Sequence, residues 1–141
     1  MKFICLLALL LVSAGCTADS STNEHRSEIK VLALNTWHAG AKVKGGLDKI
    51  SDVVIGTDAD IVAFSETWPK DDFPDSLLTS LASKGVTNYV GKHAGGDVSL
   101  ISRFPILKTE NVFDQTKGDS GSIIAYRLQL PSGHPLTVCV A

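Results

Sequence analysis

Two short apolar runs, each ended by polar residues, dominate the pattern of the first half of the chain. Residues 29–34 lead into Asn35, and residues 61–64 lead into Ser65 and Glu66. A continuous apolar run of this length indicates a strand with both faces covered, as in parallel or mixed sheets. Sheets of this kind usually bind ligands at the carboxyl ends of their strands, which is where Glu66 is predicted to emerge.

The segment between these runs has the period of a helix. Its apolar residues recur three or four positions apart, at Leu47, Ile50, Val53 and Val54. The turn at residues 58–60 ends this helix. Strand, helix and strand together form a βαβ unit, in which the two strands are parallel. The polar residues that follow the two runs, Asn35 and Glu66, should therefore meet at one edge of the sheet.

Strands predominate in the second half of the chain. A second helix is predicted with Asp75 or Ser76 as its cap and Gly85 as its stop. The predicted strands that follow cover residues 86–90, 98–102, 106–113, 122–130 and 135–141. A βαβ unit followed by a β-rich segment predicts an α/β fold built as a mixed sandwich.

The N-terminus has the pattern of an export signal. Lys2 supplies a positive charge, residues 3–12 form an apolar run, and the small residues 13–15 precede Cys16. This run is too short to cross a bilayer, which favours a signal-peptide core over a transmembrane helix. The order Ser-Ala-Gly-Cys also resembles a bacterial lipoprotein signal, in which Cys16 becomes the lipidated first residue.

The chain is accordingly divided into a lipoprotein-type signal peptide (1–15), a polar tether (16–28) and a domain (29–141). The expected location is the bacterial cell envelope, where a lipid anchor would attach the exported protein to the membrane. The alternative is a plain secretory signal cut near Ala14 or Ala18, which predicts a secreted or periplasmic protein.

Composition changes this picture little. The 141 residues, of which 44% are hydrophobic and 20% charged, fit about one globular domain. The formal charge of -2 argues against a broadly basic nucleic-acid surface and leaves room for a small phosphate site. Only Cys139 lies within the domain, so no disulfide framework is expected and its thiol is predicted to be buried.

The candidate chemistry lies in the residues that end the first two strands. Asn35 and Glu66 both offer hard oxygen donors, which Mg²⁺ prefers. Glu66 could bind the ion, with Asn35 ligating or positioning a phosphate oxygen beside it. The structural alternatives are that Asn35 forms a turn and that Glu66 is a solvated carboxylate. The loop at residues 91–96 is expected to expose Lys92 and His93 without a catalytic role.

Three segments resemble the motifs of one family, in the order in which that family has them. Residues 29–37 (IKVLALNTW), residues 60–66 (DIVAFSE) and residues 96–106 (GDVSLISRFPI) resemble the first, second and third motifs of the endonuclease/exonuclease/phosphatase superfamily. That superfamily includes deoxyribonuclease I, abasic-site endonucleases, bacterial sphingomyelinases and inositol polyphosphate 5-phosphatases.

This resemblance implies a four-layer α/β sandwich with a mixed sheet, as in deoxyribonuclease I, which would be incomplete in this chain. It implies a metal-dependent hydrolase of phosphate esters, with Glu66 as the metal-binding glutamate and Asn35 as its site asparagine. The implied cofactor is Mg²⁺, or Mn²⁺ in its place. The substrate class would be nucleic acid, phospholipid, or a sugar or inositol phosphate.

The resemblance also ranks neighbouring residues. Arg103 matches a structural strand end, and His38 ranks below Asn35 as a site residue. Ser65 stands where the family usually has a glutamine, which removes one expected hydrogen bond.

The family's catalytic His, Asp-x-Asn and Asp-His motifs have no counterpart in residues 1–141. We therefore expect the N-terminal half of a hydrolase, inactive by itself and poorly stable because a sheet edge and an apolar face would be open. The alternative is a non-enzymatic surface lipoprotein that uses this half-sandwich as a binding module.

Overall fold

A computed structural model describes residues 28–113 and 122–141. The predicted signal peptide, the lipidation site at Cys16 and nearly all of the predicted tether lie outside the described residues. None of the helices in the described ranges is both long and apolar enough to span a bilayer.

The described residues form seven strands and two helices. In chain order these are β1 (Val31–Asn35), α1 (Gly46–Thr57), β2 (Ile61–Ser65), α2 (Phe73–Ser83), β3 (Val90–His93), β4 (Val98–Ser102), β5 (Ile106–Phe113), β6 (Ile123–Gln129) and β7 (Pro135–Val140).

The strands form two sheets. The first has the order β1-β2-β4-β3, with β1 and β2 parallel and the other pairs antiparallel. The second is antiparallel, with the order β5-β6-β7. The predicted βαβ unit and mixed α/β sandwich are confirmed. The parallel register sets Asn35 opposite Ser65, so β1 and β2 end at the same edge.

Strands β2 and β4 lie in the middle of the first sheet and bury both faces. Val62, Phe64 and Ile101 pack in the core that the two helices cover. Ile61 and Leu100 point the other way and pack against the second sheet, because successive side chains of a strand alternate between faces. The result is three layers: helices, mixed sheet and antiparallel sheet.

Edge strands are buried on one side only. Val31 in β1 is 59% exposed although it belongs to an apolar run. Cys139 was predicted to be buried, and this prediction is wrong, because the thiol is exposed. The physical reason is that β7 ends the second sheet and its side chains alternate between the core and solvent, with Cys139 on the solvent side.

Helix α2 begins earlier than predicted. Its N-cap is Asp72, and Pro74 lies in the first turn, so Asp75 and Ser76 are inside the helix and do not cap it. Proline fits this first turn because the N–H groups there have no partner within the helix.

The predicted strand at residues 86–90 is also wrong, since β3 covers Val90–His93. The Val86 N–H still belongs to the end of helix α2, where it bonds to the Leu81 carbonyl at 3.0 Å. Gly85, with a φ of 86°, provides the left-handed turn that this ending requires, as predicted. Lys92 and His93 are therefore strand residues and not part of a loop.

An ionic cluster lies at the end of the first sheet that is opposite to Glu66. Arg103 contacts the carboxylates of Asp58 and Asp60 at 2.5 and 3.4 Å. The Arg103 guanidinium also lies 5.1 Å from the centre of the Tyr89 ring. Hydrogen bonding and charge from Arg103 lower the pKa of Asp58 below its ordinary value of 3.8. Arg103 therefore has a structural contact at the strand end, far from the candidate metal ligands along β2.

The free energy of unfolding should depend on the ionisation of Asp58. A carboxyl group whose pKa is lowered by folding stabilises the protein above its unfolded-state pKa, and this stabilisation disappears as the pH falls through the lowered value. Asp58→Asn should therefore flatten the decline in stability between about pH 4 and pH 2. Urea denaturation at several pH values measures this effect, with Asp75→Asn on helix α2 as the control. An unchanged pH profile in Asp58→Asn would contradict the assignment.

Candidate metal site at the carboxyl ends of the parallel strands

The candidate site lies where β1 and β2 end. Asn35 is the last residue of β1, and Glu66 follows the last residue of β2. The amide nitrogen Nδ2 of Asn35 donates a hydrogen bond of 2.9 Å to the carboxylate oxygen Oε1 of Glu66. The predicted meeting of these side chains at one sheet edge is confirmed, while their chemical roles stay a prediction.

The backbone fixes which way the Asn35 amide points. Its Oδ1 accepts a hydrogen bond of 2.9 Å from the Trp37 N–H, which leaves Nδ2 to face Glu66. The Asn35 oxygen thus accepts one hydrogen bond and keeps a second lone pair, so its role as a metal ligand stays a prediction beside the contact of its amide nitrogen with the carboxylate. Across residues 28–113 and 122–141, no donor contacts Glu66 Oε2, so this oxygen is available to a cation.

Thr36 ties the two strand ends together. Its N–H donates to the Ser65 carbonyl at 2.9 Å, and its hydroxyl lies 2.9 Å from the carbonyl oxygens of both Ser65 and Glu66. The Ala39 N–H donates to the same Glu66 carbonyl at 2.8 Å. These bonds maintain a φ of 55° at Glu66, a left-handed conformation that disfavours an L-residue by about 1–2 kcal/mol.

Asp97 supports the segment after Glu66 from the side of β4. Its carbonyl accepts the Thr67 N–H at 3.1 Å, and its carboxylate oxygen Oδ1 accepts the Trp68 N–H at 2.9 Å. Its own N–H donates to Ser122 Oγ at 3.1 Å. The preceding Gly96 has a φ of 70°, and a Cβ there would stand 2.2 Å from the same hydroxyl oxygen. Glycine is therefore the only residue that fits at position 96 without displacing the Ser122 side chain.

A chain of polar side chains runs from the site towards the surface. The buried hydroxyls of Thr67 and Ser99 lie 3.3 Å apart, and Ser99 Oγ lies 3.2 Å from His93 Nδ1. His93 Nε2 in turn lies 3.5 Å from the Asp71 carboxylate. The sequence analysis did not predict this series of polar contacts, for which the only signal was a serine inside the apolar run 98–102.

Exposed aromatic residues follow the two site residues in the sequence. Trp37 and Trp68 are 57% and 60% exposed, and each lies two positions after a predicted site residue. The ring of His38 meets the ring of Trp68 edge to face, with 5.9 Å between the centroids. His38 thus contacts an aromatic ring, and its rank below Asn35 as a site residue stays a prediction.

The donor set fits part of a Mg²⁺ site. Glu66 supplies one carboxylate, and the described residues contain no group of three or more His, Cys, Asp or Glu side chains that could hold a metal. Mg²⁺ commonly takes only one or two carboxylates and completes its shell with water and substrate phosphate. Ser65, which replaces the expected glutamine, contributes its backbone carbonyl to the Thr36 contacts.

Comparison with known proteins shows the family of the chain. The sequence profile of the Endonuclease/Exonuclease/phosphatase family matches residues 32–136, and the chain belongs to this family. Proteins of the family generally hydrolyse phosphate esters, nucleic acids among them, and commonly use divalent metals.

Individual relatives are distant and longer. An uncharacterized protein of Caenorhabditis elegans is 23% identical over 122 residues, which make up 86% of this chain and 37% of that protein. An endonuclease/exonuclease/phosphatase family protein from Leptotrichia buccalis superposes with a TM-score of 0.59 at 17% identity, over 81% of this chain and 53% of that one.

A humanized TDP2 from D. rerio gives a TM-score of 0.57 at 15% identity, over 79% of this chain and 45% of that one. The chain thus spans about half of the length of these relatives, or less. The two structural matches establish a shared fold, which is consistent with the predicted deoxyribonuclease I-like sandwich in partial form.

Removing the Thr36 hydroxyl should destabilise the contact between the ends of β1 and β2. Thr36→Val keeps the shape of the side chain and deprives two carbonyls of a donor, so the free energy of unfolding should fall by about 1–2 kcal/mol. Urea denaturation measures the change, and Thr87→Val, at an exposed position between α2 and β3, is the control. Equal stability of the two variants would show that the hydroxyl does not hold the strand ends together.

Proposed function

We propose that this chain carries the metal-binding edge of an exported, metal-dependent phosphoesterase, either a phosphodiesterase or a phosphatase. The hydrogen bond between Asn35 Nδ2 and Glu66 Oε1 carries the proposal, because it places a carboxylate, with one oxygen available, at the sheet edge where α/β folds bind ligands. Membership of a family that hydrolyses phosphate esters supports the same reaction class for the whole protein.

Each residue of the site has a distinct role in this proposal. Glu66 would hold Mg²⁺, or Mn²⁺ in its place, through Oε2, while Asn35 keeps the carboxylate turned towards it. When bound, the cation supplies positive charge that stabilises the charge developing on a phosphate group. Thr36 keeps the Glu66 backbone in its left-handed conformation, so the carboxylate is oriented before any ligand arrives.

The cellular setting is part of the proposal. The pattern of residues 1–16 supports export and lipid anchoring at Cys16, which would place the protein on a membrane of the bacterial cell envelope. The substrate would be a phosphate ester from nucleic acid, from phospholipid, or from a sugar or inositol phosphate.

Glu66→Gln tests the metal role. The amide has the shape of the carboxylate but no charge, so the affinity for Mg²⁺ should fall by more than the roughly 10–100-fold that loss of an outer-shell partner costs. Asn35→Ala should weaken binding less, because it leaves the carboxylate in place and removes only its orientation. Isothermal titration calorimetry with Mg²⁺ measures both effects. Glu110→Gln on strand β5 of the other sheet is the matched control.

The outcome separates the two functions predicted for the chain. Weak binding in Glu66→Gln with normal binding in Glu110→Gln supports the phosphoesterase. Unchanged Mg²⁺ affinity in Glu66→Gln would contradict the metal role and favour a non-enzymatic binding module.

A further inference from the structure

The chain has two tryptophans, and both remain in solvent at the candidate site. Tryptophan is on average a highly buried residue, because its ring offers a large apolar surface. Trp37 and Trp68 are nevertheless 57% and 60% exposed. A single exposed apolar side chain needs no explanation, but here two exposed indoles follow, each by two positions, the hydrogen-bonded residues Asn35 and Glu66, and aromatic side chains near a few polar groups are a feature of ligand sites.

Hydrogen bonds fix the backbone of both tryptophans. The Trp37 N–H donates to Asn35 Oδ1, and the Trp68 N–H donates to Asp97 Oδ1, each at 2.9 Å. Trp37 also has a φ of 47°, which is an unfavourable conformation for a bulky side chain. The exposed rings thus belong to ordered loops whose positions are set relative to Glu66.

Contacts between the two loops restrict the rings further. The Ala39 N–H bonds to the Glu66 carbonyl, and the ring of His38 from the first loop lies against the ring of Trp68 from the second. The two ring planes are inclined at 64°, so His38 supports Trp68 by an edge contact while much of the indole stays exposed. A ring held in this way can stack on a ligand without first losing conformational entropy.

A groove beside Trp37 has room for a planar ring. It has a volume of about 280 Å³, and Asn35, Trp37 and Lys49 contribute to its lining. A dry cavity of about 150 Å³ accommodates benzene, so a ring of nucleobase size fits this space. The apolar part of the lining suits the face of an aromatic ring, and Lys49 can interact with the polar edge of a nucleobase, which an acyl chain lacks.

We propose that Trp37 and Trp68 are specificity-determining residues that stack on the base of a nucleotide-type phosphate ester and thereby select it over esters without an aromatic ring. This inference rests on the proposed function, since the phosphate group of such a ligand would lie at Glu66. Stacking of a base on an aromatic side chain is sequence-tolerant, so we expect little preference among the four bases.

Binding of two probes that differ only in the base tests this inference. Adenosine 5′-monophosphate should bind the full chain about tenfold or more tightly than ribose 5-phosphate in the presence of Mg²⁺. Trp68→Leu and Trp37→Leu should each reduce this preference, while Trp68→Phe should retain most of it. Leu107→Ala, which changes another exposed apolar side chain on strand β5, should leave it unchanged. Calorimetry provides the affinities.

Fluorescence locates the ligand, because both tryptophans of the chain lie at this site. Quenching by adenosine 5′-monophosphate and not by ribose 5-phosphate supports the proposal. Equal affinities for the two probes would overturn it, as would a full base preference in both leucine variants. A blue shift with phosphatidylcholine vesicles, with no response to the nucleotide, would also overturn it and identify a membrane contact.

The test distinguishes this inference from the proposed function. If Mg²⁺ binds in a Glu66-dependent way and no base preference exists, the stacking role is wrong and the metal role stands. If the base preference depends on the tryptophans but Mg²⁺ affinity is unchanged in Glu66→Gln, the stacking role stands and the metal role is wrong.

Discussion

The parallel pairing of β1 with β2 is the constraint on which the site depends. Because Asn35 lies opposite Ser65 in this register, the amide comes within hydrogen-bond distance of the next residue, Glu66. A shift by one residue would turn each side chain to the other face of the sheet. The register is secured by burial, since Val62 and Phe64 must face the helices. Core packing thus determines the geometry of a surface site.

Around this contact the backbone adopts conformations that an isolated peptide would avoid. Trp37, His38, Ala39 and Glu66 all have positive φ values. Such strain persists only where the surroundings determine it, and it is concentrated at functional sites. Here Thr36 and Asp97 supply the restraining hydrogen bonds from two sides. Asn35 contacts both the Glu66 carboxylate and the Trp37 N–H, so the proposed metal binding and the proposed ligand stacking would depend on one scaffold.

Periodicity and strand order were enough to predict the first half of the fold and the meeting of Asn35 with Glu66. Long-range features were not accessible in this way. The exposure of Cys139 depends on β7 being an edge strand, which an apolar run does not reveal. Strand β3 begins later than predicted because the Val86 N–H still bonds to the Leu81 carbonyl at the end of helix α2.

The polar chain through Ser99 and His93 was likewise missed, because it joins residues from different strands whose contact needs the antiparallel pairing of β3 with β4. Motif resemblance could identify Glu66 as a ligand candidate, but it could not show that the Asn35 oxygen is already engaged by the Trp37 N–H. That detail adds a second predicted role for Asn35, orienting the Glu66 carboxylate, to its predicted role as a ligand.

The central claim is that a divalent cation binds beside Glu66 at the shared end of β1 and β2. Paramagnetic broadening by Mn²⁺ in amide NMR spectra tests this claim most directly, because it reports where the ion resides. The account predicts that the strongest broadening falls on the amides of residues 35–38 and 65–68 and is displaced by excess Mg²⁺. Broadening centred on another carboxylate group, such as Asp48 and Asp52 on helix α1, would contradict it.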